Sequence, residues 1–214
     1  MDESYKPTVY IVDDDPSVRQ AIEWLLSSVN LPCESYGSST EFLERAAFGL
    51  AGCVILDIRM PGLSGLDVQQ ALTAGGNDVP IVFVSAHADV ALTVRAMKAG
   101  ALEVLTKPFD DQKLLDAVHQ GLEAHRVRHR ERLQTKAYVD RYATLSNRER
   151  EVMGLVTQGL LNKQIAAELG IAEKTIKVHR AQVMHKMHAG SVAELTHISE
   201  RLQGLGLKSN PTSS

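Results

Sequence analysis

A chain of 214 residues, 44% hydrophobic and 23% charged, has the composition of an ordinary globular protein, long enough for one large domain or two small ones. It has no apolar run long enough to span a bilayer, and its start, MDESYKPTVY, lacks the basic and apolar regions of a secretory signal, which points to the cytoplasm. The net charge of −3 hides an asymmetry: residues 1–120 carry 8 Lys+Arg against 17 Asp+Glu, whereas residues 121–214 carry 15 against 9, with six of the eight histidines. An acidic half joined to a basic half predicts two domains with different partners, the basic one suited to nucleic acid. Cys33 and Cys53 sit in apolar strand-like segments, match no metal or disulfide spacing, and are expected as buried free thiols.

The first 120 residues alternate strand and helix signals. TVYIVDD reads as a strand, and Pro16 to Asn30 as a helix with Val18, Ile22, Leu25, Leu26 and Val29 at helical spacing. PCESY is a short second strand, after which Ser38 or Ser39 can cap a helix running through Ala47. CVILDI is the third strand and Gly65 to Ala74 a helix; PIVFVS is the fourth, with Asp89 placed to cap the helix VALTVRAMKA that stops at Gly100. EVLT is the fifth strand, and a helix starts near Asp110. Near-continuous apolar strands alternating with helices predict a doubly wound α/β domain, its parallel sheet covered on both faces.

From Gly121 to Ala143 no proline or further glycine interrupts GLEAHRVRHRERLQTKAYVDRYA, so the fifth helix is expected to continue as a linker. Its apolar positions Leu122, Val127, Leu133, Ala137 and Val139 keep no clean heptad, which favours a solvated connecting helix over a strong coiled coil. The remainder is helical. LSNRERE places Glu149 three residues after Ser146, a capping box. Gly159 closes that helix, Asn162 can cap KQIAAELG, Gly170 makes a turn, and Glu173 opens the longer helix EKTIKVHRAQVMHKM. Ile176, Val183, Met184 and Met187 are its expected inward positions, with Val178 partly buried; Lys174, Thr175, Lys177, Arg180 and Lys186 form the exposed basic side. A short helix, a glycine turn and a second helix make a helix-turn-helix outline.

Open parallel sheets place their sites at the carboxyl ends of the strands. Those ends hold Asp13, Asp14 and Asp15 after strand 1, Asp57 on strand 3, Ser85 on strand 4 and Lys107 after strand 5. With strand order 2-1-3-4-5, strands 1 and 3 are neighbours, so Asp13, Asp14 and Asp57 meet. Carboxylates sharing one crevice repel unless a cation is present, and oxygen-only ligands suit Mg²⁺ or another hard divalent ion such as Mn²⁺. A metal, a lysine and a hydroxyl around one carboxylate are parts for phosphoryl transfer to Asp57.

IVDDDPSVR, ILDIRMPGLSGLD, VSAHAD and AGALEVLTKPF resemble the receiver domain of two-component response regulators over about residues 7–121. The resemblance implies a flavodoxin-like fold, Mg²⁺ on Asp13, Asp14 and Asp57 with the backbone carbonyl of Arg59, and phosphorylation of Asp57 by a sensor histidine kinase. It implies that Ser85 follows the phosphoryl group and that Lys107 contacts it before a cis bond to Pro108. One position departs from the family: the aromatic residue expected two or three positions before the lysine is Val104, so the aromatic half of the usual switch has no ring to move. His87 is expected as a solvated loop histidine and Met97 as core, while the fourth helix and fifth strand are a candidate dimer face.

LSNREREVMGLVTQGLLNKQIAAELGIAEKTIKVHRAQVMHKM resembles the LuxR/FixJ-type (NarL-type) helix-turn-helix domain over most of residues 144–205. By that resemblance Lys177 and Arg180 read bases, Asn162, Lys174 and Thr175 contact phosphates, His179 is structural, and the helix Ser191 to Leu202 makes a dimer contact. The chain thus divides into a receiver (1–121), a linker helix continuing its last helix (122–143), a DNA-binding domain (144–208) and a flexible tail (209–214). The expectation is a phosphorylation-dependent transcriptional regulator, leaning toward activation, that meets promoter DNA and RNA polymerase, dimerises when phosphorylated, touches no membrane and is no turnover enzyme. Two rivals remain: an Mg²⁺-dependent phosphotransferase, which needs a general acid that only Asp15 could supply, and a LuxR-type sensor of a diffusible ligand, which needs no acidic cluster.

Overall fold

The structure, a computed structural model, describes residues 6–86 and 90–207; His87, the cap expected at Asp89 and the tail 209–214 lie outside the described residues. The chain divides into two compact units, Met1–His129 and Arg130–Ser214.

The first unit is a five-stranded parallel sheet in the order β2-β1-β3-β4-β5, as expected. Its strands are β1 (Thr8–Val12), β2 (Cys33–Tyr36), β3 (Gly52–Asp57), β4 (Ile81–Ser85) and β5 (Glu103–Thr106). Between them run α1 (Pro16–Ser28), α2 (Ser39–Ala46), α3 (Gly65–Ala74) and α4 (Val90–Lys98), and α5 (Asp111–Ala143) follows β5. The central strands are apolar on both faces because both are covered. Tyr10, Val12, Val54, Leu56, Ile81 and Phe83 join one core with Phe42, Val68 and Leu72 of the helices. Val9, Ile11, Cys53, Ile55, Val82 and Val84 join the other with Ile22, Leu26, Leu114 and Val118. Alternate strand residues thus serve opposite cores, the two-residue period of a pleated strand. Where α5 crosses the sheet, a Cβ at Gly121 would fall 2.6 Å from Cys53 Sγ, so only glycine lets the helix lie this close.

Ser38, not Ser39, is the N-cap of α2, accepting from the Glu41 N–H; Ser39 is buried and its hydroxyl donates to the Leu63 carbonyl at 2.7 Å. Ser64 and Asp67 form a capping box on α3. Cys53 is buried as expected, whereas Cys33, near the edge of the sheet, is only half-buried. Met97 corrects its assignment to the core: it is 45% exposed, because the side of α4 that meets the sheet is carried by Ala96.

The second unit holds α6 (Asn147–Thr157), α7 (Asn162–Leu169), α8 (Glu173–Met187) and α9 (Val192–Gly204) around Val152, Met153, Leu155, Val156, Ile165, Ile176, Val183, Met187, Leu195, Ile198 and Leu202. Tyr138 and Tyr142, from the last turns of α5, belong to this core, so its apolar cluster begins before Thr144. Val127 and Leu133, between the residues of α5 that enter the two cores, are each 44% exposed. The Ser146–Glu149 capping box forms as expected, and Gly170 takes the left-handed conformation (φ 64°) that ends α7. Two expectations fail. Leu161 rather than Asn162 is the N-cap of α7, and Val178 is 51% exposed rather than partly buried.

Candidate functional sites

At the carboxyl edge of the sheet, β1 delivers Asp13 and Asp14, β3 delivers Asp57, and the segment after β5 delivers Lys107. Oxygens of the three carboxylates lie within 4.8 Å of one another. Asp13 and Asp57 are 1% and 6% exposed, while Asp14 opens to solvent. Lys107 Nζ donates to Asp13 Oδ2 at 2.6 Å and to Asp57 Oδ2 at 3.0 Å. The Arg59 N–H donates to Asp57 Oδ1 at 3.1 Å, fixing the other oxygen of that carboxylate. The Lys107–Pro108 peptide is cis, and the Lys107 N–H donates to the Ser85 carbonyl at 2.8 Å. Ser85 ends β4 fully buried, one residue beyond Val84, the register partner of Asp57. Gly65 opens α3 directly beneath: a Cβ there would meet the Asp57 carbonyl at 2.3 Å, so the helix can start this close to the acidic strand end only with glycine.

Burial raises the Asp13 carboxyl above its usual range, against the lowering contributions of the Lys107 ammonium and the Asp15 N–H. Burial alone would lower the Lys107 ammonium, but hydrogen bonds and charge attraction to Asp13 and Asp57 carry it upward instead. Three carboxylates therefore share one ammonium in a partly buried crevice. That donor set, all oxygen and in excess of the local cation, fits a hard divalent ion such as Mg²⁺ or Mn²⁺.

Arg19, which carries no motif of its own in the sequence, supports the site from α1. Its Nη1 donates to the carbonyls of Asp13 (2.7 Å) and Asp14 (3.2 Å), clamping the turn that presents the acidic pair. The signal was available in the six-residue spacing of IVDDDPSVR, but an arginine on a helix reads as a solvated charge. Asp15 is not a spare acid: its side chain caps α1, accepting from the Ser17 N–H at 2.8 Å. Val104 pairs with Phe83 in the β4–β5 register and, half-buried, packs against the core as an aliphatic side chain.

In the helical unit, Ile176, Val183 and Met187 bury the inner side of α8, leaving Lys174, Thr175, Lys177 and Val178 exposed. Glu173 lies 3.4 Å from Lys177, one turn along the helix. Val178 leaves its methyls exposed beside Lys177 rather than partly buried. Lys186 departs from the exposed basic side, since its Nζ donates to the buried Glu149 carboxylate at 2.7 Å and to the Thr144 carbonyl at 3.3 Å. Arg180 is half-buried, and its Nη1 donates to Asn162 Oδ1 at 3.0 Å. His179 is partly buried, its Nδ1 without a hydrogen-bond partner.

The family profile described as "Response regulator receiver domain" matches residues 9–119, and that of "Bacterial regulatory proteins, luxR family" matches residues 143–199. Nodulation protein W of Bradyrhizobium diazoefficiens is 47% identical over 210 residues, spanning 98% of this chain and 91% of that protein. The transcriptional regulatory protein FixJ of Azorhizobium caulinodans is 39% identical over 89% of this chain and 90% of its own. The solved structure of the response regulator StyR superposes with a TM-score of 0.83 at 47% identity, covering 92% of this chain and 99% of that one. With a parallel sheet in the receiver order, an acidic crevice at its carboxyl edge and a basic helix-turn-helix unit, the chain belongs to the two-component response regulators of the NarL/FixJ type, transcriptional regulators rather than turnover enzymes.

Proposed function

We propose that this protein accepts a phosphoryl group on Asp57 from a sensor histidine kinase and, so modified, dimerises and binds promoter DNA as an activator working with RNA polymerase. The observation that carries the reading is Lys107 Nζ, which bridges Asp13 and Asp57 at the mouth of β3. Asp13, Asp14 and Asp57, with the Arg59 carbonyl, would hold Mg²⁺ or Mn²⁺; when bound, the ion neutralises phosphoryl oxygens and offsets the crowding of carboxylates. The Asp57 carboxylate attacks phosphorus, the bond from phosphorus to the kinase histidine nitrogen breaks, and Lys107 shifts its hydrogen bonds toward the incoming oxygens. The buried Ser85 hydroxyl donates to the same group, drawing the end of β4 toward Asp57. With Val104 a half-buried aliphatic on the core, this movement of the β4 end is the route by which the modification reaches the surface. Hydrolysis of the aspartyl phosphate by water returns the resting state.

Val90, Val94 and Met97 lie at i, i+4 and i+7 on α4 and are 81%, 44% and 45% exposed, which supports a dimer face there. Phosphorylation shifts the population only by its differential stabilisation of the state that exposes or orders this face. In the helical unit Lys177 faces base edges, while Lys174 and Thr175 flank it toward phosphates. A protein that works on promoter DNA with a kinase donor acts in the cytoplasm; among the described residues no helix is long and apolar enough to cross a membrane. The reading is tested by sedimentation and DNA titration with and without a small phosphodonor and Mg²⁺. Wild type should gain dimer and DNA affinity on treatment and Asp57→Asn should gain neither. Equal gains in both would refute it.

A further inference from the structure

Within the reading of α8 as the helix that enters the major groove, we propose that Arg180 is a phosphate anchor rather than a base reader, and that Asn162 is the positioning residue that holds it. The buried axis of α8 runs through Ile176, Val183 and Met187. Arg180 lies one turn beyond Ile176, which places it only about 40° around the helix from that axis. Lys174, Val178, Ala181, Gln182 and His185 are exposed, whereas Arg180 is half-buried. Its guanidinium reaches sideways to Asn162 at the amino end of α7, where Nη1 meets Oδ1 at 3.0 Å.

The chemistry of the contact fixes the amide. Arginine carries no acceptor, so the atom facing it is the asparagine oxygen, and the Nδ2 donors are directed elsewhere. At this corner the guanidinium lies beside the amino end of α7, whose partial positive charge favours an anion. A base reader needs an arginine that projects to the groove floor and presents two donors to one guanine edge. A guanidinium tied to α7, the helix that crosses the DNA backbone in this motif, is placed for a phosphate on the groove wall. Asn162 contributes no charge; it holds the charge of Arg180 in place.

The test titrates full-length protein, every variant treated alike with phosphodonor and Mg²⁺, against a mixed-sequence duplex and a duplex selected from a random pool, over a range of salt. Arg180→Ala should weaken both duplexes by the same factor and reduce the salt slope of log K by about 0.9, the loss of one phosphate contact. Arg180→Lys should restore the slope, because a point charge serves a phosphate. Asn162→Ala should weaken both duplexes equally, and Asn162→Ala/Arg180→Ala should bind no more weakly than Arg180→Ala alone. Loss confined to the selected duplex with an unchanged slope would make Arg180 a base reader and overturn the assignment. Additive losses in the double variant would show that Asn162 does not act through Arg180. Failure of the wild type to bind either duplex would instead remove the reading of α8 itself.

Discussion

In the sheet domain Lys107 donates to Asp13 and Asp57 at 2.6 and 3.0 Å; in the helical domain Lys186 donates to Glu149 at 2.7 Å. The chemistry is the same and the surroundings differ. Around Lys107 a third carboxylate, Asp14, stands nearby, so negative charge exceeds positive and the crevice opens to solvent on one side. Around Lys186 one carboxylate meets one ammonium, and the same Glu149 oxygen also takes the Ser146 N–H at 2.7 Å within the capping box. The Glu149 carboxyl is held below its usual range because hydrogen bonds from Lys186 and Ser146 outweigh the raising effect of burial. An ion pair with surplus acid is suited to receive a cation or its equivalent; a balanced one ties α6 to α8.

Breaking the surplus site should have the largest consequence. Asp13→Asn should cost at least about 100-fold in Mg²⁺ or Mn²⁺ affinity, beyond the loss typical of an outer partner, as read by calorimetric titration of the purified protein. The same variant, metal-free, should melt above wild type at neutral pH, since it no longer ionises a carboxyl whose pKa the fold raises. A lower melting temperature would mean that Asp13 is held for stability, as Glu149 is.

Breaking the balanced pair should act on stability alone. Glu149→Gln should destabilise the helical domain by about 2 kcal/mol, less than a fully buried pair because Lys186 keeps some solvent, and should leave cation binding untouched. Thermal melts with and without Mg²⁺ check both halves of that statement.

The two sites also carry opposite pH signs. Asp13 has a folded pKa above its ordinary 3.8, so its contribution to stability is complete below that value and is lost as pH rises through the raised one. Glu149 has a folded pKa below 4.5, so its contribution is present above 4.5 and is lost as pH falls through the lowered one. Chemical denaturation between about pH 3 and 7 should therefore show the stability difference between wild type and Glu149→Gln shrinking toward acid. The Asp13→Asn variant should lose its advantage over metal-free wild type in the same direction. Either difference growing toward acid would break the comparison.

The smallest effect belongs to Val104. Because Val104 is a half-buried aliphatic packed on the core, Val104→Ala should lower receiver stability by about 1 kcal/mol and leave phosphorylation in place. Loss of phosphorylation there would show that the position takes part in the switch after all.

The sheet was legible because its strands are apolar runs alternating with helices: Val54 to Leu56 must be covered on both faces, which a doubly wound arrangement does with five strands. The acidic cluster was legible because the topology converts distant sequence positions into neighbours at strand ends. What escaped was sidedness on helices with mixed charge. Lys186 and Lys177 look alike in sequence, yet one is half-buried and bonded to Glu149 and the other exposed, a difference set by which turn of α8 faces α6. Arg19 and Arg180 escaped for the same reason, since an arginine that reaches across to another element has no local signature. Met97 and Val178 failed in the opposite sense, apolar residues left outside where a partner is expected.

The proposed role of the surplus acid around Lys107 is to place a phosphoryl group on Asp57. Intact mass after incubation with a small phosphodonor and Mg²⁺, for wild type and Asp57→Asn, tests it directly. Wild type should gain one phosphoryl group, absent in Asp57→Asn and absent after chelation of the metal. An adduct that persists in Asp57→Asn, or no adduct on wild type under conditions that modify a control receiver, would contradict it.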